Sequence, residues 1–251
     1  LLPLYYLLRL SDLAREGIAH SGSYRFAAHI YCGRPSARLV VGRWLDAYLL
    51  SMPAAKAFRR RCEHVQGVLR RALEALSAAR PKLRVLAVPC GVPRDVMDLA
   101  LSIRRERPAL LQRLEYHGLD IDGEVLDLPK TMTRGVLASP RFHAGNALVR
   151  ADYPKEMCHV VVSTGLGEFL RNDELVEFYT IVYDQLESGG MFCTSATARD
   201  ARSDALLRIG ELVTHYRQAS EVENLLRRLP WTQLELTVDP TGLQTFVIAT
   251  K

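Results

Sequence analysis

Residues 85–96 read Val-Leu-Ala-Val-Pro-Cys-Gly-Val-Pro-Arg-Asp-Val. A short apolar run enters Pro89-Cys90-Gly91, and Pro93 precedes a segment with apolar residues at Val96, Leu99, Ala100 and Ile103. The run suits a buried strand, and the i, i+3, i+4, i+7 spacing predicts a helix over Val96–Arg105. Between them, Gly91 permits a sharp turn and a close backbone approach. Pro93 fits a first helical turn, where its missing N–H leaves nothing unpaired. The free N–H groups of that turn favour a carboxylate or phosphate. Alone, the stretch is equally a tight strand-to-helix connection or a ligand-binding loop.

The chain beyond residue 96 decides the fold. Short β-rich runs at Leu83–Val88, Leu114–Leu119, Arg141–Ala144, His159–Ser163 and Met191–Ser195 alternate with helical patterns at Val96–Arg105, Glu124–Thr131 and Asp173–Leu186. That alternation predicts βαβ units and a parallel sheet. The end of the chain breaks it. Trp231–Val238 and Leu243–Thr250 flank the turn Asp239-Pro240-Thr241-Gly242, which predicts an antiparallel hairpin. The expected fold is α/β, a doubly wound, mostly parallel, seven-stranded sheet closed by a C-terminal antiparallel hairpin, with an N-terminal helical cap.

In such sheets ligands bind beyond the carboxyl ends of the strands, near the switch in strand order. After the second strand comes Gly118-Leu119-Asp120-Ile121-Asp122. Asp120 suits the two hydroxyls of a ribose diol, and Asp122 suits a helix N-cap. After the third comes Gly145-Asn146-Ala147. The Asn146 amide either donates to and accepts from an adenine edge or serves as a turn residue. After the fourth comes Ser163-Thr164-Gly165-Leu166-Gly167-Glu168-Phe169, whose glycines allow a close pass by a ligand, and Asp173 is placed to cap the next helix.

The order of these pieces resembles the class I S-adenosylmethionine-dependent methyltransferases. VLAVPCGVP stands where that family has an acidic-x-Gly-x-Gly-x-Gly loop. EYHGLDID resembles its second strand with the ribose-binding acid, and FHAGNAL its third strand and adenine-site turn. HVVVSTGLGEFL resembles its fourth strand and the loop beside the reacting centre, and LESGGMFCTSA the turn and fifth strand. The closing hairpin resembles the antiparallel seventh strand that separates this family from nicotinamide Rossmann enzymes. The resemblance covers roughly residues 83–251. It implies methyl transfer from S-adenosylmethionine, leaving S-adenosylhomocysteine, with the cofactor held by Pro89, Cys90, Gly91, Arg94, Asp120, Ile121, Gly145, Asn146, Ala147, Thr164 and Gly165.

The chain departs from the family pattern at the methionine end of the cofactor. Ala87 stands where an acid often holds the methionine amino group, Pro89 and Pro93 replace glycines, and Asn146 and His159 replace aspartates. Arg94, or Tyr24 or Arg25 of the front segment, is a candidate to compensate. Methyl transfer is an in-line displacement that depends on positioning and exclusion of water. An oxygen or nitrogen nucleophile can also need a base, for which His215 and Glu168 are candidates. Arg217 is a candidate partner for an acidic substrate.

Residues 1–80 have a different texture. Ala54 to Ala79 carries an apolar stripe at helical spacing, a further helix is predicted over Leu39–Leu50, and Pro53 and Pro81 bracket the long one. The segment holds 13 Lys/Arg and 5 Asp/Glu, so +8, while 81–251 holds 20 and 23, so −3. This division predicts a cap over 1–80 and a cofactor-binding domain over 81–251. A basic front face is a solvated helix surface or attracts an acidic substrate, nucleic acid or a membrane. No aromatic residues interleave with Arg59-Arg60-Arg61 or Arg70-Arg71 as a nucleic-acid stacking platform requires. A small-molecule methyl acceptor is therefore favoured over an RNA substrate, with a non-catalytic cofactor-binding module as a further alternative. The absence of GxGxxG disfavours a nicotinamide oxidoreductase. No apolar run approaches the ~18 residues of a membrane span, and LLPLYYLL, stopped by Arg9, lacks the features of a signal peptide. The five cysteines have no zinc-type spacing, so no metal site is expected, and they read as reduced thiols of a cytoplasmic protein.

Overall fold

The computed structural model describes residues 2–19, 24–77, 80–123, 126–209 and 214–251. Its helices are α1 (Leu2–Leu8), α2 (Asp12–Ala19), α3 (Tyr24–Cys32), α4 (Val40–Ser51), α5 (Pro53–Ser77), α6 (Arg94–Glu106), α7 (Pro108–Gln112), α8 (Asp127–Thr133), α9 (Asn172–Gln185), α10 (Ala201–Ile209) and α11 (Ala219–Leu226). Its strands are β1 (Leu83–Ala87), β2 (Leu114–Asp120), β3 (Arg141–Ala144), β4 (Cys158–Ser163), β5 (Leu186–Thr197), β6 (Gln233–Val238) and β7 (Gln244–Thr250). They form one seven-stranded sheet in the order β3-β2-β1-β4-β5-β7-β6. The first five strands are parallel, and β7 runs antiparallel to both β5 and β6. The expected sheet, mostly parallel with a C-terminal antiparallel pair, is the observed one, and helices precede it.

Successive strand residues point to opposite faces, and the central strands are apolar on both. On one face Val65, Val68, Leu69, Ala72 and Leu73 of α5 and Val96, Leu99, Ala100 and Ile103 of α6 cover Leu83, Val85, Tyr116, Val160 and Val162. On the other, Leu175, Phe178, Tyr179 and Val182 of α9 and Val222, Leu225 and Leu226 of α11 cover Leu86, Leu119, Val161, Phe192 and Val247. Each large apolar side chain buried this way contributes roughly 1.5–3 kcal/mol. Val85 and Leu86 thus belong to different layers, which explains the unbroken apolar run of β1.

Helix α5 is 25 residues long, about 37 Å at ~1.5 Å per residue. Its C-terminal half is a sheet-covering helix. Its N-terminal half continues into a small helical core of Leu13, Ile30, Leu50 and Ala55, with Phe26, Leu49 and Phe58 against it. That core is fastened by one carboxylate. Asp46 on α4 is fully buried and accepts from the Ser11 hydroxyl (2.5 Å) and from the N–H groups of Leu13 (3.2 Å), Ser36 (2.9 Å) and Ala37 (2.9 Å). Burial opposes its ionisation, but these donors outweigh that and hold its pKa below the ordinary value.

The uneven charge of the chain has a structural use. Arg60, Arg61, Arg70 and Arg80 of the front segment pair with Asp239, Glu168, Glu106 and Glu187 of the body, and Arg107 pairs back to Glu74. The exposed ones among them contribute ~0–1 kcal/mol each, whereas Arg61–Glu168 is a mostly buried pair.

Several local expectations shift. β5 begins at Leu186 instead of Met191, because the register against β4 jumps from Cys158↔Leu186 to Val160↔Met191 across a bulge containing Gly189 and Gly190. α8 starts at Asp127 with Leu126 at its N-cap. Asp122 therefore does not cap it, and Glu124, the expected start, lies outside the described residues. Arg171, not Asp173, is the N-cap of α9, and Glu174 accepts from the Arg171 N–H at 2.8 Å. In the hairpin turn, the Asp239 carboxylate accepts from the N–H groups of Thr241, Leu243 and Gln244.

Two buried groups have measurable consequences for stability. Asp46→Ala strands four donors, each costing ~1–3 kcal/mol if unsatisfied. We expect urea denaturation to show a loss of about 3 kcal/mol or more, and hydrogen exchange to show the loosening concentrated in α2–α4. His117 on β2 is buried and stacks on His143 at 5.5 Å between ring centroids. Burial, then His143, push its pKa down to about 4 from 6.5. The unfolded chain therefore takes up a proton that the folded chain refuses, and stability is lost as pH falls from about 6.5 towards 4. Wild type should lose up to about 3 kcal/mol over that window, and His117→Phe should flatten that part of the pH profile.

Candidate active site

The sheet order reverses between β1 and β4, the place where doubly wound folds bind ligands. A cavity of about 1360 Å³ opens there. Its walls come from the loops after β1, β2, β4 and β5, from the start of β7, and from helices of the front segment.

The β1 loop is built for close approach. Gly91 has φ +42°, and a Cβ there would meet nothing within 4 Å. The backbone thus presents an open face to the cavity in a conformation other residues rarely adopt. The Gly91 N–H donates to Asp120 Oδ2 at 2.9 Å, and the Cys90 N–H to the Leu119 carbonyl at 2.9 Å. The β1 loop is therefore locked to the end of β2. The Cys90 thiol packs over Gly118, where a Cβ would lie 2.9 Å from Sγ and 2.8 Å from Phe142. Burial, then the Asp120 charge, push its pKa up to about 12, which leaves a neutral, unreactive thiol. Cys62, also on the cavity wall, is pushed to about 12, again chiefly by burial.

Of the residues singled out in the sequence, Arg25, Pro89, Cys90, Gly91, Arg94, Asp120, Ile121, Thr164, Gly165 and Glu168 line this one cavity. Asp122 lines it too, in place of the capping role expected of it. The Val88–Pro89 peptide is cis. Arg94 lies between Asp98 (3.4 Å) and Cys32 Sγ (3.9 Å), bridging α6 to α3.

Other candidates lie elsewhere. Gly145, Asn146 and Ala147 are outside the cavity lining. Asn146 Oδ1 accepts from the Leu148 N–H at 2.9 Å, its own N–H donates to Asp152 at 2.7 Å, and Gly145 donates to the Asp120 carbonyl at 2.8 Å. Of the two readings of Asn146, the turn residue is the one built here. His215 faces a separate depression with Arg171, Arg199, Arg208 and Glu221, and its N–H donates to the Glu168 carbonyl at 2.8 Å. Arg217 is buried, and its guanidinium donates to Asn172 Oδ1 (2.9 Å), to the Gly167 carbonyl and to the Leu170 carbonyl (2.5 Å). It clamps the β4 loop and is turned away from any acceptor in the cavity. The Tyr24 side chain lies outside the described residues.

Three residues of the cavity were not foreseen: Tyr31, Arg61 and Asp95. Arg61 is 5% exposed. Its guanidinium lies 3.9 Å over the Phe58 ring, interacts electrostatically with Tyr31 and stands 3.6 Å from Glu168 Oε1. Glu168 in turn accepts from the Thr197 hydroxyl, which accepts from Gln244 Nε2 at 2.6 Å. A continuous polar chain thus runs from β7 through the β4 loop to α5 and α3. Asp95, in the first turn of α6, has a pKa raised chiefly by burial, opposed by the Val96 N–H and by Arg61. The signal for Arg61 was present in the sequence, because it sits four residues from both Ala57 and Val65, inside the apolar stripe of α5.

Comparison with known proteins agrees with this geometry. The profile of a family described as "Putative methyltransferase" matches residues 16–251. A search of curated proteins found no match. Among solved structures, a "possible exported protein" from Bordetella parapertussis superposes with a TM-score of 0.78 at 21% identity, over 98% of this chain and 85% of its own. Magnesium protoporphyrin IX methyltransferase from Synechocystis, with bound SAM, gives 0.57 at 13% identity over 96% and 97%. A "putative O-methyltransferase" from Nostoc punctiforme gives 0.57 at 15% over 98% and 71%. At these identities the likeness is one of fold. The family profile spans all but the first 15 residues, and the chain belongs to this methyltransferase family.

Proposed function

We propose that the chain transfers a methyl group from S-adenosylmethionine to a small-molecule acceptor held in the cavity, with helices α2–α5 acting as the cap. The observation that carries this is the meeting of the β1, β2 and β4 loops in one cavity at the reversal of strand order.

The residues present fit the cofactor. The open face at Gly91 leaves room for a ligand against the backbone. Asp120 offers a ribose diol the acceptor positions left after its bonds to Gly91 and Asp122, since a carboxylate accepts at about four. The charged lining consists of Asp95, Asp120, Asp122, Glu168 and Asp200 against Arg25, Arg61 and Arg94. That acidic excess favours a ligand with cationic sulfonium and ammonium groups. Asp95 supplies the acid that Ala87 lacks at the methionine end. When bound, the sulfonium supplies an electrophilic methyl group for in-line displacement. Glu168 is the base candidate inside the cavity, oriented by Thr197 and Arg61. Four of the front segment's arginines, Arg60, Arg61, Arg70 and Arg80, are engaged with carboxylates of the body, which favours a small molecule over nucleic acid. Among the described residues no helix is long and apolar enough to cross a membrane.

Thermal denaturation with S-adenosylmethionine, S-adenosylhomocysteine and NAD in parallel tests the cofactor. A ligand at ~100 times its Kd adds ~2.7 kcal/mol, so both adenosyl ligands should raise the Tm and NAD should not. Equal indifference to all three would sink the reading. Asp120→Asn should weaken S-adenosylhomocysteine at least tenfold, since it loses charge-assisted bonds and frees the β1 loop. Gly118→Ala, which pushes on Cys90 and Phe142, should cost ~1–3 kcal/mol of stability from overpacking, read by urea denaturation.

A further inference from the structure

The cavity reaches beyond the loops assigned to the cofactor. At about 1360 Å³ it exceeds the ~300–1,000 Å³ usual for a ligand site, and it extends into the helical segment. There Ile18, Phe26, Ala27, Leu49, Met52 and Phe58 form its walls, an apolar bay between α2, α3, α4 and α5. The bay borders the small core of Leu13, Ile30, Leu50 and Ala55, so it is a built continuation of packed structure.

Arg61 stands where the bay meets the strand ends. It is almost wholly buried, yet among the described residues its Nε and Nη1 have no hydrogen-bond acceptor. Glu168 Oε1, at 3.6 Å, is beyond hydrogen-bond distance and already accepts from Thr197. A buried guanidinium with unanswered N–H groups is costly, and Arg61 is one of the residues that line the cavity. An oxygen carrying negative charge answers those N–H groups best, because charge-assisted bonds to a guanidinium are the stronger kind.

We propose, resting on the methyltransferase reading above, that the methyl acceptor is amphipathic: its apolar acyl or alkyl-aryl body fills the bay, and its acidic oxygen, carboxyl or phenolic, is held by Arg61. A lone pair of that oxygen forms the bond to the methyl carbon. The methyl–sulfur bond breaks with its electron pair left on sulfur, giving an O-methyl ester or ether and S-adenosylhomocysteine. A carboxylate brings no proton to the site, and the proton of a neutral phenol passes to the Glu168 carboxylate beside Arg61.

Calorimetric titration of the full chain tests this without turnover. The probes are octanoate, decanoate and dodecanoate below their micelle concentrations and 4-octylphenol, with acetate and phenol as short controls. Affinity should rise by roughly fourfold per added CH₂, and the short controls should not bind measurably. Ala27→Trp, which fills the bay, should abolish the chain-length dependence. Arg61→Met should weaken dodecanoate at least tenfold while S-adenosylhomocysteine still binds. Octylphenol tighter than octanoate assigns the oxygen to a phenol and the reverse to a carboxylate, and either result supports the proposal. Affinity independent of chain length, or dodecanoate binding indifferent to both variants, overturns it even where S-adenosylhomocysteine binds. Failure of S-adenosylhomocysteine to bind wild type overturns the underlying cofactor reading instead.

Discussion

The structure depends on how α5 is seated. Val65, Val68, Leu69, Ala72 and Leu73 bury one face of its C-terminal half against β1 and β4, and that contact is worth several kcal/mol on area grounds alone. Once that half is fixed, the rigidity of one continuous helix fixes the other half. Its N-terminal turns are held over the strand ends, where Ala57, Phe58, Arg61 and Cys62 become cavity wall. The front segment is therefore not an appendage joined by a linker. It shares a helix with the sheet layer, and ion pairs from Arg60, Arg61 and Arg70 tie that helix to the body. Part of the basic surplus that suggested an external partner is taken up inside the molecule.

The architecture was legible in the sequence because periodicity reports burial. The apolar runs of the seven strands recur at spacings that leave few topologies, and the Asp239-Pro240-Thr241-Gly242 turn marks the antiparallel ending. β3 matches its expected bounds residue for residue, and β1, β2 and β4 do so within a residue. β5 was underestimated because a bulge carries its extra residues out of the alternating pattern. Asp122 and Asp173 were assigned to caps from residue type alone, and cap geometry turns on the preceding dihedral angles, which residue type does not reveal.

The site was legible in part. Residues at the strand ends gather by topology, so the β1, β2 and β4 loop residues fell where expected. Asn146, His215 and Arg217 did not, because a polar side chain near a site has several partners to choose from. Asn146 found a turn N–H, and Arg217 found two loop carbonyls and the Asn172 side chain at the start of α9. Arg61 was missed for the opposite reason. A run of three arginines reads as a solvated face, and only its position within the apolar stripe marks the third as buried.

The β1 loop that began as an ambiguity now has a physical account. Asp120 fastens it, accepting the Gly91 N–H across the strand ends while one face of that glycine stays open to the cavity. In the function we propose, this fastened loop and Asp120 form the nucleoside end of the cofactor site. A crystal structure with S-adenosylhomocysteine is the decisive measurement. We expect the nucleoside in the cavity at the β1–β4 reversal, with ribose hydroxyls about 2.6–3.2 Å from the Asp120 carboxylate. A nucleoside bound elsewhere, or bound there without contact to Asp120, would refute that assignment.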